Sequence, residues 1–238
     1  MASFMPRHWR TNQLITRGTV DACVGIFLGW NYAERGLVYD AVNNGMNRLQ
    51  RAKLMPSHWR APDPQKVYHQ LNEKTIHRTG MTKKDDDRVS WLLCNLSHKD
   101  LLHLGFNMMA FTSFAPALMW MSTRHYVGIL LGSAISSSFF SEYYHKGIPS
   151  QGLGFSGVVS GVAMTATMLF PTSTASLFGV LKLPLWAMTG GFFLLDTYLA
   201  ESGAQTGIGH AAHVGGGAFG AVYYALFLRR FGGVLGRR

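Results

Sequence analysis

Residues 152–170 read GLGFSGVVSGVAMTATMLF, nineteen residues without a charge. Small residues alternate with branched apolar ones throughout. In a soluble helix such glycines are a liability, whereas in a membrane they let helix backbones approach closely. The stretch sits inside a longer one of the same kind. Residues 101–228 hold six of the chain's 34 Asp, Glu, Lys and Arg: Arg124, Glu142, Lys146, Lys182, Asp196 and Glu201. Residues 1–100 hold 24 of them. A mean hydropathy of +0.08 conceals this division. No soluble domain needs a half so nearly free of charge. A membrane domain does, because a charge at the bilayer centre costs about 2.5–3.5 kcal/mol on insertion scales.

A spanning helix needs about 20 mostly apolar residues. The pattern predicts helices near 101–121, 125–144, 153–170, 178–198 and 207–228, with a weaker segment at 19–33. Arg124, the run His145–Pro149, the pair Pro171–Thr172 and the stretch Glu201–Gly203 mark the breaks. The fold class expected is therefore an all-α polytopic membrane protein with a bundle of six helices. Residues 1–18 read as a basic N-terminal segment, 19–230 as the membrane domain and 231–238 as a basic tail.

The polar connection 34–99 interrupts the membrane domain. Leu37, Val38, Val42, Met46, Leu49 and Leu54 recur there at near-helical spacing, which predicts an amphipathic helix over 40–53. Pro62 and Pro64 break any helix, and Asp85–Asp87 reads as a solvated turn. The tripeptide His-Trp-Arg occurs at 8–10 and again at 58–60, a pairing suited to the headgroup level of a membrane. The net charge of +10 reads as membrane-surface charge. No aromatic-basic motif supports a nucleic-acid partner. Cys23 and Cys94 show neither metal spacing nor a disulfide framework.

Polar side chains within a membrane segment are functional candidates by default. Three groups stand out. His103 and Asn107 lie four residues apart, on one helical face. Ser156 lies within a turn of the start of its helix. His210 and His213 open the last helix, where Gly209, His213, Gly216, Gly217 and Gly220 form one stripe. A matching small surface, Gly157, Ser160 and Gly161, follows Ser156. Two such surfaces in contact would bring a serine oxygen within hydrogen-bond reach of the His213 imidazole, which is what a base-activated nucleophile needs. Taken singly, each residue has a plainer reading, a serine bonding a carbonyl one turn back or a histidine bridging helices. No HExxH is present and no carboxylate sits among these histidines in the sequence, so no metal or other cofactor is expected. The Gly-x-Ser-x-Gly elbow of soluble hydrolases also fails, because Val158 fills its last place.

These motifs resemble those of the rhomboid intramembrane serine proteases. Gly154-Phe155-Ser156-Gly157 is similar to the family's GxSG, His103 and Asn107 to its HxxxN, and Ala212-His213-Val214-Gly215-Gly216 to its AHxxG. They fall in the family's order, on the second, fourth and sixth helices. GHAAHVGG looks most like the mitochondrial branch, although the Trp-Arg pair many rhomboids carry before HxxxN is missing: Trp91 is followed by Leu92. The resemblance implies a six-helix rhomboid-like bundle and a Ser156–His213 dyad without a third carboxylate. It implies Asn107 and His103 as oxyanion donors and transmembrane protein substrates met within the lipid bilayer. It also implies a multi-pass location, with the mitochondrial inner membrane as the expected one. The alternative is a catalytically silent relative that binds membrane clients; such relatives usually lose the serine or histidine, and both are present here. A small transporter is disfavoured by the lack of internal repeats. Substrate entry is expected beside the helix near 178–198, with Trp186 and Phe192 as gate candidates flanking Gly190-Gly191. The loop 199–207 is expected to act as a mobile cap.

Overall fold

The computed structural model describes residues 7–51, 90–144, 152–177, 180–204 and 206–236. Six long helices form the body: α1 (Arg7–Arg51), α2 (Leu101–Phe114), α3 (Thr123–Tyr144), α4 (Ser156–Leu169), α5 (Leu185–Glu201) and α6 (His210–Tyr223). The expected all-α class therefore stands. One two-stranded antiparallel hairpin, β1 (Thr174–Leu177) with β2 (Leu181–Pro184), is added to it, in the register Thr174↔Pro184.

The first helix differs from expectation. It begins at Arg7 rather than near residue 19, and runs unbroken to Arg51 rather than yielding to a separate helix over 40–53. Polar residues at its start are the reason, because they have buried partners. Asn12 is fully buried, and its amide donates to the Met119 and Met121 carbonyls at 3.0 and 2.9 Å. Thr16 and Tyr126 share a hydroxyl bond of 2.6 Å. The proline pair at 62 and 64, the acidic turn at 85–87 and the second His-Trp-Arg lie outside the described residues.

The fourth apolar segment also changes. A helix was expected from residue 178, but residues 181–184 form β2 and α5 starts at Leu185. Pro184 is extended at φ −63°, ψ 146°, and as the cap residue it stops the strand and opens the helix. The Leu185 and Trp186 N–H groups donate to the Ser173 and Pro171 carbonyls at 2.7 and 3.1 Å, which ties the hairpin to the end of α4.

Among the described residues, two helical stretches are long and apolar enough to cross a membrane, Leu101–Leu118 and His210–Phe231, and Ser156–Leu169 is apolar but shorter. At 1.5 Å per residue, α4 is only about 21 Å long against a hydrocarbon core of about 30 Å. It lies in the middle of the bundle. Val158, Val162, Ala166 and Leu169 of α4 are buried together with Phe111, Tyr126, Ile129 and Tyr224 in one core. Beyond α6 the chain turns back on α4, where the Val234 N–H donates to the Met168 carbonyl at 2.9 Å.

Candidate active site

The site begins at a sharp turn. Gly154 has φ +122°, a backbone conformation that residues with a side chain rarely adopt. A Cβ there would also strike the His103 imidazole. The Gly154 N–H is held by the Cys94 carbonyl at 3.0 Å. Two residues later α4 starts, with Ser156 as its first residue. The first N–H groups of a helix have no partner within it and point out of its start, where negative charge is favoured.

α4 and α6 then meet backbone to backbone. A Cβ on Gly216 would overlap the Gly157 carbonyl oxygen, and one on Gly220 would overlap that of Gly161. Thr165 Oγ1 donates to the Gly161 carbonyl at 2.8 Å and lies 3.3 Å from the Gly220 carbonyl. The glycine stripe of α6 itself meets two neighbours, α4 and α5, and Gly215 beside it meets a third, α3. Gly216 and Gly220 face α4, Gly217 faces Phe193 of α5, and Gly215 faces Ser136 and Phe140 of α3. Gly209 stands before the helix and meets only Ala212 of its own segment.

This contact brings Ser156 Oγ and His213 Nε2 to 2.8 Å. The separation is that of a good hydrogen bond between a nucleophile and its base. Ser160, the next serine on α4, donates to the Ser156 carbonyl at 3.0 Å and so follows the plainer reading. On the far side of the imidazole, His213 Nδ1 lies 3.1 Å from each oxygen of Asp196. The expectation of a serine–histidine pair with no carboxylate beside it is therefore corrected. Asp196 comes from α5, 17 residues before His213, so the local motif could not show it. Its signal in the sequence was its rarity, one of six charges in 128 residues. Asp196 also meets His210 Nδ1 at 2.6 Å, and His210 Nε2 meets Thr206 Oγ1 at 2.7 Å. The two histidines converge on one carboxylate. With Asp196 they could also offer three ligand atoms to a cation.

His103 and Asn107 lie on α2, whose start is capped by the Asp100 carboxylate accepting from the His103 N–H at 2.8 Å. The His103 ring packs over Gly154, next to the serine turn. Asn107 is buried, and its amide donates one hydrogen to the His103 carbonyl at 2.8 Å. The second amide hydrogen is left for another acceptor. Sequence reasoning missed His98. Its ring meets His103 edge-on at 5.2 Å, and its Nε2 accepts from the Phe155 N–H at 3.4 Å. Burial, with His103 beside it, pushes the His98 imidazole down to about 4, so it is neutral at pH 7 and can accept that hydrogen. Trp186 and Phe192 are exposed on α5, at 60% and 49%. The turn after α5 is tied to His210 through Thr206, which also accepts from the Ile208 N–H at 3.2 Å.

Fold and site together define a helical membrane bundle in which a serine and a histidine meet across a glycine contact. A family model described as Rhomboid domain matches residues 86–230. The chain belongs to the rhomboid family. It is 33% identical over 144 residues to Rhomboid protein 1, mitochondrial, of Saccharomyces cerevisiae, covering 57% of this chain and 41% of that protein. It is 27% identical over 163 residues to Presenilin-associated rhomboid-like protein, mitochondrial, of Rattus norvegicus, covering 63% and 42%. The aligned region spans about two fifths of the length of each of these relatives.

Proposed function

We propose that the protein is an intramembrane serine endopeptidase that cleaves membrane-anchored protein substrates, with Ser156 as nucleophile and His213 as general base. The 2.8 Å Ser156–His213 hydrogen bond carries this reading. Ser156 Oγ forms a bond to the peptide carbonyl carbon while its proton passes to His213 Nε2, and the carbonyl electron pair moves to oxygen. Collapse of that intermediate breaks the C–N bond, and the departing nitrogen takes the proton from His213. Water then attacks the resulting ester, giving its proton to His213, and Ser156 leaves reprotonated. Donors for the oxyanion are the Ser156 N–H, the free amide hydrogen of Asn107 and the His103 imidazole, each worth about 2.7–4 kcal/mol where water is excluded.

Hydrolysis within a bilayer also needs water. α4, about 21 Å long against a hydrocarbon core of about 30 Å, is too short to span it, so the pair at its start must line a cavity open to water. The His213 side chain keeps 18% of its surface exposed, so the pair is reachable. Mitochondrial relatives and apolar helices support placement in a mitochondrial membrane, and we assign the inner membrane as its location.

The test is cleavage of a transmembrane reporter by purified protein, together with labelling by a fluorophosphonate probe. Ser156→Ala and His213→Ala should each abolish cleavage, and Ser156→Ala should abolish labelling, in protein that melts as wild type does. Cleavage retained by Ser156→Ala would overturn the assignment.

A further inference from the structure

We propose that His210, His213 and Asp196 form an inhibitory site for a divalent cation of the zinc class, and that the ion turns the His213 ring from proton acceptor to proton donor toward Ser156. The binding site rests on side-chain geometry alone. The inhibition rests on the protease reading.

His210 and His213 are three residues apart on α6, so both rings leave one face of the helix. α5 supplies the carboxylate that their own segment lacks. One ligand atom from each of the three side chains lies within 4.8 Å of the others. Asp196 Oδ1 is 2.6 Å from His210 Nδ1 and 3.1 Å from His213 Nδ1. Around a tetrahedral ion with bonds of about 2.0–2.1 Å, ligand atoms stand about 3.3 Å apart, so side-chain shifts of about 1 Å close the site on a metal. Two imidazoles and a carboxylate, with a fourth place open to water, suit zinc; magnesium and calcium take shells of oxygen. The His213 and Asp196 side chains keep 18% and 15% of their surface exposed, which gives an ion a way in. The ion is a regulator that comes and goes, so no resident metal is implied.

Each ring also carries a hydroxyl at its other nitrogen. His210 Nε2 is 2.7 Å from Thr206 Oγ1, and His213 Nε2 is 2.8 Å from Ser156 Oγ. A hydroxyl both donates and accepts, whereas a carboxylate only accepts. Without a metal, the Nδ1 hydrogens go to Asp196 and each hydroxyl donates to Nε2. With an ion on both Nδ1 atoms, each neutral ring keeps its one hydrogen on Nε2, and each hydroxyl turns to accept it. Two hydrogens move from Nδ1 to Nε2 by way of solvent, and none is gained or lost. Metal-binding histidines are held by such a partner on the second nitrogen. The consequence falls on Ser156. Its oxygen now faces an N–H, nothing receives its proton, and the charge of the ion opposes a further proton on the ring.

The experiment uses the full chain in detergent micelles, stripped of metal with EDTA and titrated with zinc chloride. Wild type should bind one more zinc ion than His210→Gln. Zinc should block cleavage of the transmembrane reporter and fluorophosphonate labelling together, and EDTA should restore both. Magnesium and calcium chloride at the same concentration should do neither. With ¹⁵N-labelled histidine, and His213→Gln to assign the resonance, zinc should move the His213 hydrogen from Nδ1 to Nε2. His210→Gln keeps a hydrogen for Asp196 and loses a ring ligand. It should raise the zinc concentration for half-inhibition by about 10²-fold or more, since even an outer partner of a metal site is worth about 10–100-fold. His210→Ala should do the same. Wild type that binds no zinc overturns the proposal with no variant needed. Inhibition that both His210 variants leave unchanged also overturns it, by placing the ion on other histidines. So does zinc bound with His213 still protonated on Nδ1. Zinc binding that depends on His210, in a protein with no Ser156-dependent cleavage, would refute the protease reading and leave the metal site standing.

Discussion

A single methyl group at Gly216 should separate the two halves of the catalytic pair. In Gly216→Ala the new carbon would overlap the Gly157 carbonyl oxygen, a backbone atom that cannot rotate away. Relief requires α4 and α6 to part by about 1 Å, a displacement of the size that costs about 10²-fold in rate when it falls on reacting groups. Gly157 adjoins Ser156, and Gly216 lies one turn after His213, so the separation falls on that pair. Adding it to the present 2.8 Å gives about 3.8 Å, beyond hydrogen-bond reach. Over-packing should also cost about 1–3 kcal/mol of stability. The control is Gly25→Ala on α1, where a Cβ meets nothing within 4 Å. The assay is kcat/KM on a transmembrane reporter in one lipid composition, with thermal melting of each variant. A fall of about 10²-fold for Gly216→Ala, and little change for Gly25→Ala, is expected. Wild-type turnover in folded Gly216→Ala would refute the claim that this contact sets the serine–histidine distance.

Three further outcomes follow from the geometry. Asn107→Ala should lower kcat by about 10²–10³-fold with little change in KM, because an oxyanion donor acts in the transition state; equal effects on both parameters would argue for a role in substrate binding. His98 has its folded value near 4 against 6.5 unfolded. Its contribution is therefore complete above pH 6.5 and is lost as pH falls toward 4, by on the order of 2 kcal/mol; thermal melts of His98→Gln should lack this part of the acid slope, and an unchanged slope would exclude His98 as its source. Trp186→Ala and Phe192→Ala should raise kcat/KM on the reporter if these exposed rings slow substrate entry; unchanged or lower rates for both would remove α5 from the entry route.

The polar motifs could be read from the sequence because each is local. His103 and Asn107 share a helix turn, Ser156 carries its glycines beside it, and the Gly216 contact follows His213 by one turn. Asp196 could not be read this way. It acts across two helices, and its neighbours Leu195 and Thr197 give no hint of what lies opposite. His98 is similar, since its partner is the Phe155 N–H, 57 residues on. Apolar content showed that residues 181–184 are not solvated polar loop, but not that they form a strand: Leu-Lys-Leu-Pro suits a strand or a helix until Pro184 is given its extended backbone. The start of α1 was hidden by its polarity. Asn12 looks like a solvent residue, and only the Met119 and Met121 carbonyls explain why it is inside.

One consequence of α5 concerns the order of events. The helix carries Trp186 near its first turn and Asp196 near its last, ten residues or about 15 Å apart. Gly190 and Gly191 lie between them with open space around both, the place where a bend costs least. Its late half is latched: Asp196 holds two histidines of α6, and Glu201 accepts from the Tyr144 hydroxyl of α3 at 2.5 Å. Its early half is tied as well, by the Leu185 and Trp186 N–H groups on the Ser173 and Pro171 carbonyls and by Thr189, which accepts from the Thr167 hydroxyl of α4. A bend at the glycines would leave the Asp196–His213 contact in place. Displacement of the whole helix would instead take Asp196 away from His213 and His210 together.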